Sequence, residues 1–194
     1  MNEVLETIRR RRSVRTYTGE QIREEDLAAI LEAGRYAPSG GNNQTCHFLV
    51  IQNPEIRSQL TALVRDTFRS MTSYEWMYKS LRNAIASAQN DHYDFTYQAP
   101  ALIVVANKKH YPNNMADSSC VLQNMMLAAA SLGVGTCWIN QLRWLDKNED
   151  IRTYMETIGL GSDETICGGL SLGYPASEIP APLERTGNPV TYIR

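Results

Sequence analysis

Residues 117–132 (DSSCVLQNMMLAAASL) constrain the fold more than any other stretch, because they predict a long helix that is apolar almost all round. A helix on the surface of a soluble protein has one apolar stripe, so a helix of this composition must be buried on most of its sides. In a chain of 194 residues it belongs at the centre of the domain or at a subunit interface. Gly133-Val134-Gly135 ends this helix and leads into a predicted strand.

The remaining segments alternate between helical spacing and short apolar runs. Residues 70–98 are rich in aromatic and polar side chains, which is typical of a lid or pocket wall but also of a surface helix pair. Helices are predicted from residue 4 to the arginines that follow it, from 24 to Pro38, at 54–69 and at 145–158. Strands are predicted at 45–52, 101–106, 136–139 and 165–172. We therefore predict one α+β domain over 1–194, with a four- or five-stranded sheet between helices.

The C-terminal tail, about residues 176–194, is hard to place within one subunit. Its prolines predict extended backbone rather than helix. Residues 190–193 have strand propensity but no obvious neighbour in the chain. Pairing with the sheet of a second copy would satisfy their backbone groups, so we expect the tail to reach a partner subunit.

Charge and composition exclude several classes of function. The formal net charge of −2 argues against nucleic acid as a partner, since such domains carry a broad basic excess. The four cysteines form no Cys-x-x-Cys pair and have apolar neighbours, which indicates free thiols, and the three histidines lack metal-ligand spacing. No apolar run is long enough for a membrane span and no apolar leader segment is present, so we expect a cytoplasmic protein.

The basic residues concentrate in Arg9-Arg10-Arg11-Arg12-Ser13-Val14-Arg15. A guanidinium can bind two phosphate oxygens at once, and a serine hydroxyl adds a further donor. Such a local cluster suits a small anion. Alternatively, it is a solvated basic helix end, or a nucleic-acid or targeting patch.

Two further segments carry groups suited to a ligand. Residues 38–44, which we call the amide loop, combine glycines with three side-chain amides. An amide presents a donor and an acceptor and can pair with the imide edge of a flavin. Residues 133–139 offer backbone groups and the indole of Trp138. Each segment alone could be an ordinary turn. No Walker A loop, Gly-x-Gly-x-x-Gly or Gly-x-Ser-x-Gly motif is present, and Cys46 and His47 point to opposite faces of a strand.

Together these segments resemble the shorter members of the FMN-dependent nitroreductase family. Five pieces match in the family's order and spread over nearly the whole chain: IRRRRSVRTY at 8–17, APSGGNNQTCHFLVI at 37–51, QAPALIVVA at 98–106, DSSCVLQNMMLAAASLGVGTCWI at 117–139 and LSLGYPA at 170–176. The resemblance implies a three-layer sandwich with a central mixed, mostly antiparallel sheet, in an intertwined homodimer that binds FMN at the subunit interface.

The resemblance also implies which basic residues hold the cofactor. Arg11 and Ser13 would bind the FMN phosphate and ribityl chain, with Arg12 beside them. Arg15 would lie near the N1 and O2 edge of the flavin, where a positive charge favours the reduced form. Arg185, in the tail, would occupy a second phosphate-binding position.

The remaining implied contacts come from the amide loop and the strand after the long helix. Asn42 would hydrogen-bond the pyrimidine edge, while Ser39 and Gly40 would approach the same flavin from the other subunit. Pro38 and Gln44 complete the loop's cofactor contacts. Thr136, Cys137 and Trp138 would line one face of the isoalloxazine. No metal ligand is implied.

The chain departs from the family pattern in two places. Asn140-Gln141 stands where the family commonly has one or two glycines, which puts the space near the flavin N5 in doubt. Gly40-Gly41 stands where many relatives have a serine and a larger polar residue, and this could loosen the loop.

The implied activity is hydride transfer from NAD(P)H through N5 of FMN to a flat electron acceptor such as a nitroaromatic or quinone, in a ping-pong scheme. No protein side chain is expected to act as general acid or nucleophile. Alternatives on the same scaffold are ene reduction, dehalogenation or flavin reduction for a partner. A non-catalytic flavin store or sensor, and a nucleic-acid binder, are rivals of other classes.

Overall fold

The computed structural model describes residues 2–194, and its centre is a sheet of four strands in the order β1-β2-β4-β3. The strands are β1 (His47–Ile51), β2 (Ala101–Lys108), β3 (Gly135–Ile139) and β4 (Glu164–Gly173). Every neighbouring pair is antiparallel. An isolated parallel bridge between Ser13 and Thr136 adds the mixed element that the family resemblance implies.

Seven helices surround the sheet within residues 2–194. They are α1 (Glu3–Arg10), α2 (Glu24–Arg35), α3 (Pro54–Ser70), α4 (Lys79–Ser87), α5 (Asn114–Ser131), α6 (Gln141–Trp144) and α7 (Glu149–Thr157). Asn2, Asn53 and Asn148 cap α1, α3 and α7 by accepting backbone N–H groups with their side chains, which satisfies donors that a helix start leaves unpaired.

The alternation of side chains along β2 divides the core into two clusters. Leu102, Val104 and Ala106 face a cluster that α3, α4 and α7 cover. Ala101, Ile103 and Val105 face a second cluster that includes α2 and α5. Since successive residues of a strand point to opposite faces, helices cover both sides of the sheet. The predicted α+β three-layer sandwich is confirmed.

Helix α5 packs against β2, β4 and α2, so the domain itself buries most of its apolar surface. The central position that its composition predicts is therefore correct. The helix has 18 residues and is about 27 Å long. It runs from the neighbourhood of the amide loop, near Asp117, to the turn that leads into β3.

The helix predicted at 145–158 is present, but it begins at Glu149 and not at 145. The chain forms α6, breaks, and restarts as α7 at Glu149. Asp146 lies in the break and accepts hydrogen bonds from the hydroxyl of Thr165 at 2.6 Å and the backbone N–H of Ile166 at 3.1 Å. These bonds tie the break to β4, a tertiary constraint that local propensity does not contain.

Residues 71–98 contain one helix, α4, which packs its Ala84 and Ile85 into the first cluster. Tyr74 and Trp76 stack on each other with ring centroids 5.7 Å apart and remain largely exposed. The tail from Ala176 onward is exposed and has no strand within the described chain. No helix within residues 2–194 combines the length and apolarity that a bilayer crossing needs.

Candidate functional site

The segment after α1 lies along β3. Ser13 bridges Thr136, and the backbone N–H of Val14 donates to the Thr136 carbonyl at 2.9 Å. The Val14 side chain fills the space where a Cβ on Gly135 would lie. The glycine at the start of β3 therefore lets the two chain segments approach closely. As a result, the arginine run and the segment 133–139, far apart in sequence, are neighbours in the fold.

Three guanidinium groups come together here. Burial lowers the pKa of Arg11 from its ordinary value, and the nearby charges of Arg12 and Arg185 lower it further. Within residues 2–194, no carboxylate forms an ion pair with any of these three arginines. Arg12 Nη1 donates to the Arg11 carbonyl at 2.7 Å, while Arg12 Nε is buried without a hydrogen-bond partner. We call Arg11, Arg12, Ser13, Arg15 and Arg185 the arginine corner.

Two open pockets meet at the arginine corner. One has a volume of about 590 Å³ and is lined by the end of α1, the turn at 133–136 and residues 179–182 of the tail. The other, of about 720 Å³, is lined by α1, Gln123 and residues 182–185. Arg11, Arg12 and Pro182 line both. Converging, unpaired guanidinium groups beside open space are suited to an anion such as phosphate.

Arg15 extends the corner towards Cys137. Burial raises the pKa of the Cys137 thiol, against the opposing effects of Arg15, Ser13 and Arg11. Burial alone would lower the pKa of Arg15, but Cys137 and Tyr97 outweigh it and leave that pKa raised. The ring of Tyr97 lies with its centroid 5.8 Å from the Arg15 guanidinium carbon. At neutral pH the corner therefore presents charged guanidinium groups and a neutral thiol.

The indole of Trp138 does not join the arginine corner. It packs with the second core cluster, and its N–H donates to the side-chain oxygen of Asn140 at 3.0 Å. Thr136, two residues earlier on the same face of β3, is buried, whereas Trp138 is partly buried. Asn140, one of the two departures from the family pattern, thus anchors Trp138.

The amide loop occupies a different place. Pro38, Ser39 and Gln44 line a pocket of about 400 Å³ together with His47 and Asp117. Within residues 2–194, no hydrogen bond or ion pair links the loop to the arginine corner. The loop is fixed near the start of α5, at Asp117, whereas the corner lies by β3 and shares a pocket with Gln123 in the middle of that helix. The loop and the corner line separate pockets of the chain.

The backbone of the amide loop is unusual. Gly41, Asn42 and Gln44 have φ values of +61°, +56° and +53°, in the left-handed region that residues with a Cβ rarely adopt. Such strain clusters at functional sites. The side chains of Asn42 and Gln44 remain exposed, so the loop presents its amides outward.

Sequence reasoning missed three residues that shape these regions. Tyr97 lies in the aromatic segment, where no motif distinguishes it from Tyr93. Tyr111 lies between β2 and α5 in a stretch without a recognisable pattern. Asp117 lies in the first turn of a helix, where an acidic residue is usually explained by its interaction with the start of the helix. Its burial was the missing signal, because only tertiary packing produces it.

A model of the nitroreductase family matches residues 8–174 of this chain. The structure of a nitroreductase with bound FMN from Bacteroides fragilis NCTC 9343 superposes with a TM-score of 0.90 and 35% identity, covering 100% of both chains. That of a nitroreductase with bound FMN from Desulfitobacterium hafniense DCB-2 gives 0.85 and 26%, again covering 100% of both chains.

A relative from Archaeoglobus fulgidus, provisionally named an NADH dehydrogenase/NAD(P)H nitroreductase, is 32% identical over 182 residues, which are 92% of this chain and 88% of the relative. The family match includes Arg11, Arg12, Ser13 and Arg15 of the arginine corner but ends before Arg185, and the two superpositions cover the whole chain. This chain belongs to the nitroreductase family.

Proposed function

We propose that this protein is an FMN-dependent oxidoreductase that uses NAD(P)H to reduce a flat electron acceptor, such as a nitroaromatic or a quinone. The names of its relatives support the class of reaction, and the two similar solved structures contain FMN. FMN held by the arginine corner would supply the redox chemistry, namely hydride acceptance at N5 from NAD(P)H and reduction of the acceptor in a separate half-reaction.

One observation carries the proposal: the guanidinium groups of Arg11, Arg12 and Arg185 converge without a carboxylate partner within the described chain. In addition, the Nε of Arg12 is buried and has no hydrogen-bond partner. Like charges at close range repel, and an unpaired buried donor costs free energy. A phosphate dianion relieves both. The residues present therefore fit the phosphate end of FMN.

The roles of the other residues follow from their place relative to that phosphate. Arg11, Arg12 and Arg185 bind it, and Ser13, on the bridge to β3, lies next along the path towards Cys137. Arg15 follows Ser13 by two residues and lies where a positive charge would stabilise the reduced flavin ring. We assign the wall of the ring's pocket to Cys137 and the backbone of Thr136, and no contact to the indole of Trp138.

We propose further that the amide loop contacts the cofactor of a second copy of the chain. The loop and the corner of one chain line separate pockets and share no hydrogen bond or ion pair within residues 2–194, so we assign Pro38, Ser39, Gly40, Asn42 and Gln44 to a flavin held by the partner's corner. Exposed apolar side chains support such an interface: Val4, Leu5 and Ile8 form a face of α1, and Ile179 and Leu183 lie in the tail.

Purified protein, reconstituted with FMN if needed, tests the proposal. We expect a yellow protein that releases FMN and not FAD on denaturation. Anaerobic addition of NADH or NADPH should bleach the flavin absorbance, and a nitroaromatic or quinone should restore it, with parallel lines in double-reciprocal plots. Protein that does not bind FMN contradicts the whole proposal. Protein that binds FMN but is not reduced by NAD(P)H is a flavin store or sensor.

A further inference from the structure

The strained amide loop needs an anchor, because its exposed side chains contribute little packing of their own. Part of the anchor is local. The backbone N–H of Asn42 donates to the Ser39 carbonyl at 2.9 Å, and the N–H of Gln44 donates to Ser39 Oγ at 3.1 Å. These bonds close the turn, but they do not attach it to the domain.

The attachment to the domain is made by Asp117 and Tyr111. Asp117, in the first turn of α5, is buried, and both of its carboxylate oxygens lie 3.2 Å from the backbone nitrogen of Gly40. The hydroxyl oxygen of Tyr111 lies 2.9 Å from Asp117 Oδ2 and 3.1 Å from the Gly40 carbonyl oxygen, so its one proton serves both acceptors. The backbone N–H and the backbone carbonyl of Gly40 are thereby both hydrogen-bonded, the first to Asp117 and the second to Tyr111.

Gly40 is required by this arrangement. A Cβ at this position would collide with the side chain of Asn113 and lie 2.6 Å from the hydroxyl oxygen of Tyr111. The glycine that the sequence suggested would loosen the loop does the opposite, because its missing side chain makes room for the groups that hold the loop.

We propose that Gly40, Tyr111 and Asp117 form a latch that holds the amide loop in the left-handed shape needed to reach the flavin of a partner subunit. This inference rests on the proposed function and adds positioning residues to it. Neither Tyr111 nor Asp117 touches the cofactor. Asp117 forms no ion pair within residues 2–194, and its negative charge is stabilised by the Gly40 N–H, the Tyr111 hydroxyl and the start of the α5 dipole.

The latch predicts a separation between stability and cofactor binding. Since the loop lies outside both core clusters, releasing it should leave the sheet and its helices intact. Tyr111→Phe removes one hydroxyl and keeps the ring. We expect roughly a 2- to 10-fold rise in the Kd for FMN, less than the full value of a hydrogen bond to a charged group because this bond holds the loop and not FMN itself, with the melting temperature of the FMN-free protein almost unchanged.

Asp117→Ala should raise the Kd more, by roughly 10- to 100-fold, because the lost bonds involve a charged group. Asp117→Asn retains one acceptor for the Gly40 N–H and should recover part of the affinity. Tyr36→Phe is the matched control, since Tyr36 is 79% exposed and makes no side-chain hydrogen bond within the described residues.

The outcomes separate the two proposals. Wild-type protein that does not bind FMN overturns the proposed function. Wild-type protein that binds FMN, with Tyr111→Phe equal to Tyr36→Phe, overturns the latch. Should Asp117→Ala fail to fold, Tyr111→Phe and Asp117→Asn still decide the matter.

Mixed dimers test whether the latch acts across subunits. One chain carries Arg11→Ala and the other Asp117→Ala. If each loop serves the partner's corner, one site in the dimer receives both defects and the other receives none. Half of the sites should then bind FMN with wild-type affinity. If no site in the mixed dimer does so, each loop serves its own chain, and the latch as proposed is wrong.

Discussion

The arginine corner and the amide loop prepare for a ligand in opposite ways. The corner brings like charges together and leaves them unpaired within the described chain, with one buried donor unsatisfied. The loop carries no charge, and its strained backbone donates hydrogen bonds to Ser39 and Asp117 and accepts one from Tyr111. The repulsion between the guanidinium groups of the corner is therefore relieved only when an anion binds. The loop, in contrast, has a fixed backbone shape before any ligand binds.

This difference indicates a division of labour. Unpaired charge gives affinity but little orientation, because a guanidinium on a flexible stem can follow a moving phosphate. Fixed amides give orientation but modest affinity, since neutral hydrogen bonds are worth less than charged ones. If the two regions belong to different chains, affinity and orientation meet only in the dimer. Dissociation of the dimer should therefore weaken FMN binding more than the removal of any one side chain.

The tail tests that ranking with the largest expected effect. Deleting residues 186–194 keeps Arg185 but removes Val190 and Ile193, which are 72% and 95% exposed in the single chain. Burying each such side chain in a partner would contribute about 1.5–3 kcal/mol. We expect the truncated protein to dissociate at concentrations where the full chain is dimeric, and to bind FMN poorly. Sedimentation velocity over a concentration series measures this.

Removal of Arg194 alone is the control for the truncation and should leave the dimer intact. A truncated chain that dimerises with the same dissociation constant as the full chain would show that the tail does not hold the partner. The corner and loop would then have to meet through other surfaces, such as the apolar face of α1.

Arg11→Ala probes the corner itself and ranks second. The substitution removes the most crowded of the three converging guanidinium groups, and we expect FMN binding to weaken by about 1.5–3 kcal/mol, the scale of a hydrogen bond to a charged group. Fluorescence titration of FMN measures the Kd. Arg143→Ala, at an exposed arginine that lines neither pocket of the corner, controls for the change in net charge. Equal affinity in both variants would place Arg11 outside the phosphate site.

The elements of the fold were largely predictable from the sequence because they depend on local patterns. A continuous apolar run marked β2, and a run of apolar and small residues marked β4, since both faces of these central strands are buried. Helix α3 begins one residue after Asn53, with Pro54 at its first position, a local start signal. The break at Asp146 was not predictable, because the groups that hold it belong to β4, some twenty residues later.

The candidate site was predictable in part. The arginines and the amide loop carry recognisable chemistry, and resemblance to the family assigned their roles, which remain predictions. The groups that shape the two regions could not be found in this way. Asp117 and Tyr111 acquire their function through contacts with Gly40, 77 and 71 positions away in the chain, and no spacing rule connects them. Likewise, Thr136 and Trp138 belong to a recognisable stretch, but only the fold shows that Thr136 lines the pocket beside the corner and that Trp138 packs partly buried against the second core cluster.

Tyr97 provides the smallest expected effect and tests whether the corner has any fixed orientation of its own. Its ring lies 5.8 Å from the Arg15 guanidinium, and Tyr97 and Gln98 have φ values of +60° and +59°. Two consecutive left-handed residues without glycine indicate that the turn is held for a purpose. A cation–π contact of this kind contributes about 0.5–1 kcal/mol. We expect Tyr97→Leu to remove the contact that orients the Arg15 guanidinium. The substitution should not add strain at the positive φ of residue 97, since leucine, like tyrosine, is not β-branched.

The reduction potential of bound FMN is the sensitive readout for this change. If Arg15 stabilises the reduced ring, freeing it should lower the two-electron midpoint potential by about 10–20 mV, using about 30 mV for 1.4 kcal/mol, with little change in the Kd for FMN. Equilibration with a reference dye measures the shift, and Tyr97→Phe, which keeps the ring and loses only the interaction of the hydroxyl with Arg15, should show a smaller one. An unchanged potential in Tyr97→Leu would mean that Arg15 is not oriented by Tyr97, and that the corner, unlike the loop, supplies charge alone.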